Sequence, residues 1–307
     1  MFRGKIVIIG AGAVGATTAY TIMCGGLFNE IVLIDVDRDK AEGDALDMSH
    51  GVSFVKPVNV YSGTYEDCKD ADIVVITAGA AQKPGETRLS LVRRNTDIFK
   101  NIVSRLMENV PDDVILLVVS NPVDILTYVT WQLSGLPKSR VIGSGTVLDT
   151  SRLKYVLSRR LKVDTRNCHT YIIGEHGDSE VPTWSLTNIA GIPIREFDGM
   201  DDASFADMRN EVARAAYEII DKKGATYYAI ALAVARIVSC IAGEENSMLT
   251  VSAVLEGEYG ISGTALSVPV KLSGTGVEWI PEIDFAPDEL SGLKTSAETM
   301  TNIIKSL

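Results

Sequence analysis

The sequence of 307 residues predicts an α/β fold, in which a doubly wound parallel sheet is followed by an α+β domain with antiparallel strands. Three observations support this prediction. Short apolar runs alternate with helical stretches through the first half, as in sheets built from strand–helix–strand units. A glycine-rich turn links the first apolar run to the first helical stretch. Beyond about residue 143 the alternation ends, and short strands separated by turn signals follow.

The strands of the first half are apolar runs rich in β-branched residues, which is typical of parallel strands buried on both faces. They are KIVIIG (5–10), EIVLID (30–35), DIVVITAG (72–79), VILLVVSNP (114–122) and RVIGSG (140–145). Helical sequence separates them, and the stretch at 38–50 is typical of a helix with a polar face. We expect residues 1–142 to form the first domain.

The second half, residues 143–307, mixes antiparallel strands with long helices. Turn signals divide its apolar sequence into short strands, which predicts antiparallel pairing. The expected strands lie within 187–197 and 248–280, and the expected helices lie near 202–222 and 225–243. A last helix follows Pro287, which suits a first helical turn because its missing N–H would be unpaired there anyway.

Composition argues against several classes of partner. The formal net charge of −11 argues against nucleic acid. No apolar run approaches the roughly 20 residues that span a bilayer, so no membrane span is expected. The four cysteines form no CxxC pair, which argues against a zinc site or a redox motif, and reduced thiols fit a cytoplasmic protein. The first predicted strand begins almost at once, so no signal peptide is expected.

The glycine-rich turn GAGAVG has the spacing of a dinucleotide-binding motif. Gly10, Gly12 and Gly15 end a predicted strand and open a predicted helix, which is the context that the motif requires. Such glycines let the backbone approach a pyrophosphate, whose charge then faces the helix N-terminus. Asp35 ends the next strand, where a carboxylate accepts hydrogen bonds from ribose hydroxyls and repels a 2′-phosphate. The sequence therefore predicts a Rossmann-type site for NAD.

Further cofactor contacts are expected where the strands end, because ligands of such sheets bind at the carboxyl edge. The expected residues are Ala13 and Val14 in the glycine turn, and Thr77, Ala78 and Gly79 at the end of the third apolar run. No metal is expected beside the NAD.

A carbonyl that receives a hydride also needs a proton for its oxygen, and three histidines are candidates for supplying it. His176 lies in IIGEHGDSEVP, a polar, glycine-flanked and irregular segment of the kind that often carries a site. His50 ends a helical stretch, and His169 precedes the strand-like run YII. His176 is the preferred candidate, and a structural histidine is the alternative.

Six segments resemble, in order along the chain, motifs of the L-lactate/malate dehydrogenase family, and in particular of its bacterial lactate branch. They are GAGAVG, AGAAQKPGETRLSLVRRN, VVSNPVDILT, GSGTVLDTSRLKY, IIGEHGDSEVPTWS and KGATYYAIA. Together they cover essentially the whole chain. The resemblance implies an NAD-dependent dehydrogenase of 2-hydroxy acids that acts in glycolytic fermentation in the cytoplasm and assembles as a homotetramer.

The resemblance, carried over motif by motif, implies the catalytic groups. His176 matches the proton donor and acceptor, and Asp149 matches its carboxylate partner, which would favour the imidazolium. Arg152 matches the arginine that grips the substrate carboxylate with a planar fork. Its spacing from Asp149 would place both on one helical face, although on spacing alone a solvated ion pair is the alternative. Arg88 matches the arginine that polarises the substrate carbonyl.

The remaining matches concern the shape of the site. Asn121 would orient the carbonyl and also contact the cofactor, and Thr226 would supply a hydroxyl in the substrate wall. Ile230 would cover the nicotinamide ring, with an ordinary core position as the alternative. The segment 78–95, which carries Arg88, would close over the substrate as a lid.

Gln82, in the same segment, stands where malate-specific members carry an arginine for a second carboxylate. A neutral amide cannot pair that charge, so the expected substrates are pyruvate and L-lactate rather than oxaloacetate and malate. Larger 2-keto acids remain open, because the sequence does not give the size of the pocket.

Many bacterial members of the family bind fructose 1,6-bisphosphate across a subunit interface through an arginine and a histidine. The matching residues here are Lys154 and His169. The lysine keeps the charge but lacks the guanidinium fork. Activation by this effector is one hypothesis, and a surface lysine beside a strand-end histidine is the alternative.

Two other classes of protein share an NAD-binding fold. An NAD- and metal-dependent glycosidase needs metal ligands, and beyond the adjacent Cys168 and His169 no ligand cluster stands out. A non-catalytic NAD sensor would not need His176, Asp149 and both arginines together. The dehydrogenase is the preferred interpretation.

Overall fold

The structure, a computed structural model, describes residues 4–80, 88–243 and 245–307, and of Arg88 the backbone alone. The described helices are α1 (Ala13–Gly25), α2 (Arg38–His50), α3 (Arg88–Met107), α4 (Val123–Ser134), α5 (Val147–Leu161), α6 (Asp202–Lys223), α7 (Tyr228–Ala242) and α8 (Pro287–Ile304). The described strands are β1 (Lys5–Ile9), β2 (Glu30–Ile34), β3 (Asn59–Ser62), β4 (Ile73–Ile76), β5 (Ile115–Val118), β6 (Val141–Gly143), β7 (Cys168–His169), β8 (Ile172–Ile173), β9 (Val181–Pro182), β10 (Asn188–Ile189), β11 (Ile192–Pro193), β12 (Met248–Leu249), β13 (Ser252–Glu256), β14 (Ser262–Ser267), β15 (Val270–Ser273) and β16 (Gly276–Trp279).

The main sheet has eight strands in the order β14-β13-β6-β5-β4-β1-β2-β3. The six strands from β6 to β3 are parallel, and the register places Ile6 between Ile31 and Ile73. The chain adds β2 and β3 on one side of β1, and then crosses to add β4, β5 and β6 on the other side. The crevice at the carboxyl ends of β1 and β4 is therefore the switch point at which such sheets bind ligands. The predicted doubly wound parallel sheet is confirmed.

Side chains along each central strand alternate between two apolar cores, because successive strand residues point to opposite faces of the sheet. Ile6 and Ile8 pack in the core that includes α1 and α7. Val7 and Ile9 pack in the core that includes α3. Since both faces of the sheet are covered, the strands are continuously apolar instead of alternating between apolar and polar residues.

The second half contains the predicted antiparallel strands. β13 lies antiparallel to β6, with Ser252 opposite Gly143, and β14 continues the main sheet. The smaller sheets follow the orders β11-β10-β7, β12-β15-β16 and β8-β9. A separate apolar core joins α5 and α6 and includes Leu153 and Phe205. The division of the chain between residues 142 and 143 remains a proposal; β6 crosses that position.

Several element boundaries differ from the sequence prediction. The sequence did not predict β3, in which Val60 alone of four residues is buried because the strand forms the edge of the sheet. The strand predicted over 72–79 ends at Ile76, because the following residues turn towards β1. Helix α7 begins at Tyr228 and not near residue 225. Within the described ranges, no helix is long and apolar enough to cross a membrane.

Candidate active site

The glycine turn after β1 brings the start of α1 against the end of the sheet. Gly10 has a φ of 104°, which favours glycine, and a Cβ there would lie 2.6 Å from the Ala78 nitrogen. A Cβ on Gly15 would lie 1.8 Å from the Gly10 carbonyl oxygen, so α1 can approach only because this residue has no side chain. A Cβ on Gly12 would meet none of the described residues within 4 Å. The turn therefore leaves open space at the N-terminus of α1, where a phosphate charge is stabilised.

Asp35 lies beside the glycine turn, at the end of β2. Its Oδ2 accepts a hydrogen bond from the Ala11 N–H at 2.5 Å, and its Oδ1 accepts one from the Asp37 N–H at 2.9 Å. Each oxygen retains a second acceptor position, which suits ribose hydroxyls. Asp35 also lines a cleft of about 810 Å³ together with Gly10 and Tyr65. These residues fit the adenosine half of NAD.

The segment that follows β4 closes the other side of this cleft. The Thr77 hydroxyl donates a hydrogen bond to the Gly10 carbonyl at 2.7 Å. The Asn95 amide, buried on α3, accepts from the Ala80 N–H at 2.8 Å and donates to the Asn121 carbonyl at 2.8 Å. The Asn95 side chain therefore connects the residues that follow β4 to those that follow β5. Sequence analysis missed it, although a polar residue on the buried face of a helix is a signal of such a role.

Two of the four other predicted cofactor residues line the same cleft. Ala78 and Gly79 line it, whereas Ala13 and Val14 form the first turn of α1. The Ser120 hydroxyl, which sequence analysis also missed, donates to the Ala78 carbonyl at 2.6 Å. Hydrogen bonds from the Thr77 and Ser120 hydroxyls thus hold the main chain on this side of the cleft in place.

A buried cluster of charged side chains lies at the other end of the site. Helix α5 places Asp149 and Arg152 on one face, and the Arg152 Nη1 donates to the Asp149 Oδ1 at 2.7 Å. The His176 Nδ1 lies 2.6 Å from the Asp149 Oδ2. The Asp149 side chain is only 3% exposed, compared with 26% for the His176 side chain. One buried carboxylate therefore holds both a histidine and an arginine that reach the cavity.

Asp124, on α4, anchors the loop that carries His176. Its Oδ2 accepts the His176 N–H at 2.8 Å, and its Oδ1 accepts the Ser252 hydroxyl at 2.6 Å. The side chain is almost fully buried. Asp124 thus connects the first half of the chain to the His176 loop and to β13. Sequence analysis missed this residue, because its role depends on partners that are distant in sequence.

The electrostatics of the cluster favour a charged histidine. The Asp149 charge, acting against burial, raises the pKa of His176 to about 9. Burial opposes the ionisation of Asp149, but the His176 and Arg152 charges outweigh it and lower the Asp149 pKa below its usual range. Burial raises the pKa of Asp124 to about 6, despite its two hydrogen bonds. At neutral pH the cluster therefore holds an imidazolium and an ionised Asp149.

A cavity of about 320 Å³ brings several predicted site residues together. Asn121, Asp149, Arg152 and His176 line it, together with Glu180, which sequence analysis missed. Thr226 precedes α7, and Ile230 lies within that helix and packs against the main apolar core. Neither Thr226 nor Ile230 is among the described residues that line this cavity. Their predicted roles in the site stay predictions.

Two predicted residues, Gln82 and Arg88, lie within or at the end of the segment that leads from β4 into α3. Gln82 lies outside the described residues, and so do residues 81–87 of the predicted lid over 78–95. Arg88 is the first residue of α3, and its side chain also lies outside the described part. The start of α3 follows directly on that segment.

The two predicted effector residues lie on neighbouring elements. Lys154 is half-buried on α5, and burial lowers its pKa, whereas the charge of Cys168 acts in the opposite direction. His169 follows Cys168 in β7 and is exposed. In the part of the chain that the structure describes, no group of three or more His, Cys, Asp or Glu side chains could hold a metal ion.

The fold and the charged cluster define an NAD-dependent dehydrogenase. Residues 4–143 match the lactate/malate dehydrogenase NAD binding domain, and residues 146–307 match the lactate/malate dehydrogenase alpha/beta C-terminal domain. The chain therefore belongs to the lactate/malate dehydrogenase family, as the resemblance predicted.

Curated relatives align over nearly the whole chain. L-lactate dehydrogenase of Acetivibrio thermocellus is 56% identical over 99% of this chain and 97% of its own length. L-lactate dehydrogenase 1 of Clostridium acetobutylicum is 56% identical over 99% of this chain and 98% of its own.

Solved structures show the same fold. The minor L-lactate dehydrogenase from Enterococcus mundtii, in a ligands-bound form, has a TM-score of 0.95 and 46% identity, and the match covers 99% of this chain and 98% of that one. MGS-M5, a lactate dehydrogenase from a Medee basin deep-sea metagenome library, has a TM-score of 0.96 and 43% identity, with 99% of each chain covered.

Proposed function

We propose that this chain catalyses the reversible reduction of pyruvate to L-lactate with NADH, as an L-lactate dehydrogenase of the cytoplasm and of glycolytic fermentation. The observation that carries the proposal is the 2.6 Å contact of His176 with Asp149 beside Arg152, in a cavity at the carboxyl edge of the sheet. The relatives that bear this name at 56% identity support it.

Proton transfer is the proposed task of His176. Bound NADH supplies the hydride. Because Nδ1 is held by Asp149, Nε2 is the nitrogen that gives its proton to the substrate carbonyl oxygen, and in the reverse direction it takes the proton of the hydroxyl. Asp149 stays ionised and fixes the ring, since its pKa is lowered by the two cations beside it.

Substrate binding is the proposed task of Arg152. One of its guanidinium nitrogens donates to Asp149, which leaves further N–H donors for the substrate carboxylate. Asn121, which lines the same cavity, would donate to the carbonyl oxygen and contact the cofactor. Thr226 and Ile230 are proposed, from the family motif alone, to complete the substrate wall and the surface under the nicotinamide.

The choice of substrate is assigned to the segment before α3. We propose that Arg88 polarises the carbonyl when this segment closes, and that Gln82 meets the small methyl end of pyruvate. A second substrate carboxylate left unpaired there would cost about 3–5 kcal/mol. At about 1.4 kcal/mol per factor of ten, pyruvate is preferred to oxaloacetate by roughly two to three orders of magnitude.

NADH absorbance, followed with pyruvate and then with oxaloacetate, tests this proposal. We expect pyruvate to be turned over with the preference given above, and Gln82→Arg to move the preference towards oxaloacetate. Equal use of the two acids by the wild type would refute the role of Gln82. Turnover of neither would refute the function itself, and turnover that a chelator leaves unchanged would count against the metal-dependent glycosidase.

Regulation by fructose 1,6-bisphosphate is a further part of the proposal, together with a homotetramer whose interface would hold the effector. Burial lowers the pKa of the half-buried Lys154, and a bound phosphate would stabilise the charged form of this lysine. His169, exposed on β7, which packs against α5, would be the second contact. We expect the sugar bisphosphate to lower the KM for pyruvate, and Lys154→Met to remove that response. A saturation curve that the sugar leaves unchanged would exclude activation.

A further inference from the structure

Glu180 is a buried carboxyl in the candidate cavity to which the proposed chemistry gives no task. It is only 4% exposed, and it lines the cavity with Asp149, Arg152 and His176. Its Oε1 is fully buried and has no hydrogen-bond partner among the residues that the structure describes. Buried polar atoms are nearly always paired, so an unpaired one beside a binding site calls for a physical reason.

Charges on three elements act on Glu180. They are Asp149 and Arg152 on α5, His176 on the same loop, and Arg209 on α6, whose Nη2 also donates to the Glu180 carbonyl oxygen at 3.3 Å. The other titratable groups that line the cavity are Glu175 and Asp178 of the loop and Tyr217 of α6.

The protonation state of Glu180 decides what it does to Arg152. Burial first, and the Asp149 charge second, raise the pKa of Glu180 to about 8, although His176, Arg152 and Arg209 oppose the rise. Below that pH the carboxyl is neutral, and Arg152 has one carboxylate partner, Asp149. Above it Glu180 adds a further carboxylate to the cavity, where it attracts Arg152 and repels an anionic substrate.

We propose that Glu180 is a positioning residue for Arg152: its neutral form leaves the guanidinium to the substrate carboxylate, and its ionised form competes with the substrate. This inference rests on the proposed function, in which Arg152 binds that carboxylate. It assigns to Glu180 a pH gate on substrate affinity that is separate from the proton transfer at His176.

Oxidation of L-lactate separates the two effects, because it uses the neutral form of His176 and is not lost as that group deprotonates. We would measure kcat and KM for L-lactate with NAD from pH 6.5 to 10. The wild-type KM is expected to rise about tenfold or more above pH 8, while kcat does not fall. In Glu180→Gln, which is permanently neutral, the KM is expected to stay flat. Glu211→Gln, on the outer face of α6, removes the same charge from an exposed site and serves as the matched control.

Arg209→Gln provides a second variant at an exposed position, with NADH binding as the check that both variants are folded. Removing this cation takes away an influence that lowers the pKa of Glu180, so the KM rise is expected to move to higher pH. A rise that stays in place or moves down contradicts the inference, and so does a Glu180→Gln profile equal to that of the wild type. A wild type that turns over L-lactate with a flat KM overturns the role of Glu180 alone, whereas absence of any lactate oxidation overturns the proposed function.

Discussion

The two cavities of the candidate site, a nucleotide end and a substrate end, are built in different ways. At the nucleotide end, main-chain geometry sets the shape: Gly10 has a positive φ, and Gly15 has no Cβ where one would overlap a carbonyl oxygen. At the substrate end, buried ionisable side chains set the shape, with Asp149 holding His176 and Arg152 within hydrogen-bonding distance.

This difference determines how each end responds to change. A site built from main chain depends on glycines, which have no side chain, so a single added methyl group lowers the stability of the fold. A site made of buried charges depends on protonation and on pairing, so isosteric changes of charge alter turnover while the fold persists. We therefore expect the largest losses of activity at the substrate end and the clearest losses of stability at the nucleotide end.

His176→Gln is expected to have the largest effect. Glutamine keeps a polar group but cannot carry the proton, so kcat for pyruvate reduction should fall by roughly 10²–10⁴. NADH affinity, measured by fluorescence titration, should stay close to that of the wild type. His50→Gln, at the end of α2, is the control and should keep full activity. Turnover that survives in His176→Gln would sink the proposed mechanism.

Arg152→Lys is expected to have the next largest effect. Lysine keeps the charge but cannot bind a carboxylate through a planar fork while it also pairs with Asp149. We expect kcat/KM for pyruvate to fall by about 100-fold or more, mainly through KM. The exposed pair of Arg166 and Asp164 offers a control, since Arg166→Lys should leave the kinetics unchanged. Steady-state kinetics measure this effect, and an unchanged KM in Arg152→Lys would contradict the placement of Arg152 in the substrate site.

Gly15→Ala and Gly12→Ala form a matched pair at the nucleotide end. The methyl group of Gly15→Ala would overlap the Gly10 carbonyl, so we expect a loss of about 1–3 kcal/mol of stability without ligand. The methyl group of Gly12→Ala faces open space among the described residues, so stability should hold while NADH affinity falls. Thermal unfolding and NADH titration separate the two outcomes. Equal losses of stability would contradict the comparison.

Asp124→Asn is expected to have the smallest effect. The amide can still accept from the His176 N–H and pair with Ser252, so the free energy of unfolding should change by less than about 1 kcal/mol. The charge of Asp124 helps to raise the His176 pKa, so its removal should lower that pKa. The loss of kcat for pyruvate reduction with rising pH, which the wild type should show near pH 9, should then begin at lower pH. A shift to higher pH would contradict this assignment.

Much of the fold could be predicted from sequence because local pattern fixes it. Continuous apolar runs identified the central strands, and helix α2 has the bounds that its sequence predicted. β3 escaped prediction because an edge strand with one buried residue has little hydrophobic signal. The second half was predictable as a class of structure but not strand by strand, since several of its strands are two residues long.

The candidate site was less accessible to sequence alone. The glycine turn is local in sequence, and its context could be read directly. The roles of Asp149 and Arg152 came from family motifs, because spacing alone allows a solvated ion pair. Asp124, Asn95 and Glu180 were missed, because their contacts join residues that are far apart in the chain or depend on burial.

The antiparallel pairing of β13 with β6 has a consequence for how the chain folds while it is being synthesised. Until Ser252 and its neighbours leave the ribosome, the parallel sheet ends at β6 with a row of unpaired N–H and C=O groups on its outer side. An exposed strand edge of this kind recruits strands from other chains. The sheet can therefore be completed only after β13, which lies far along the chain from β6, has been synthesised. In the interval before that, pairing with other chains competes with folding of the nascent chain.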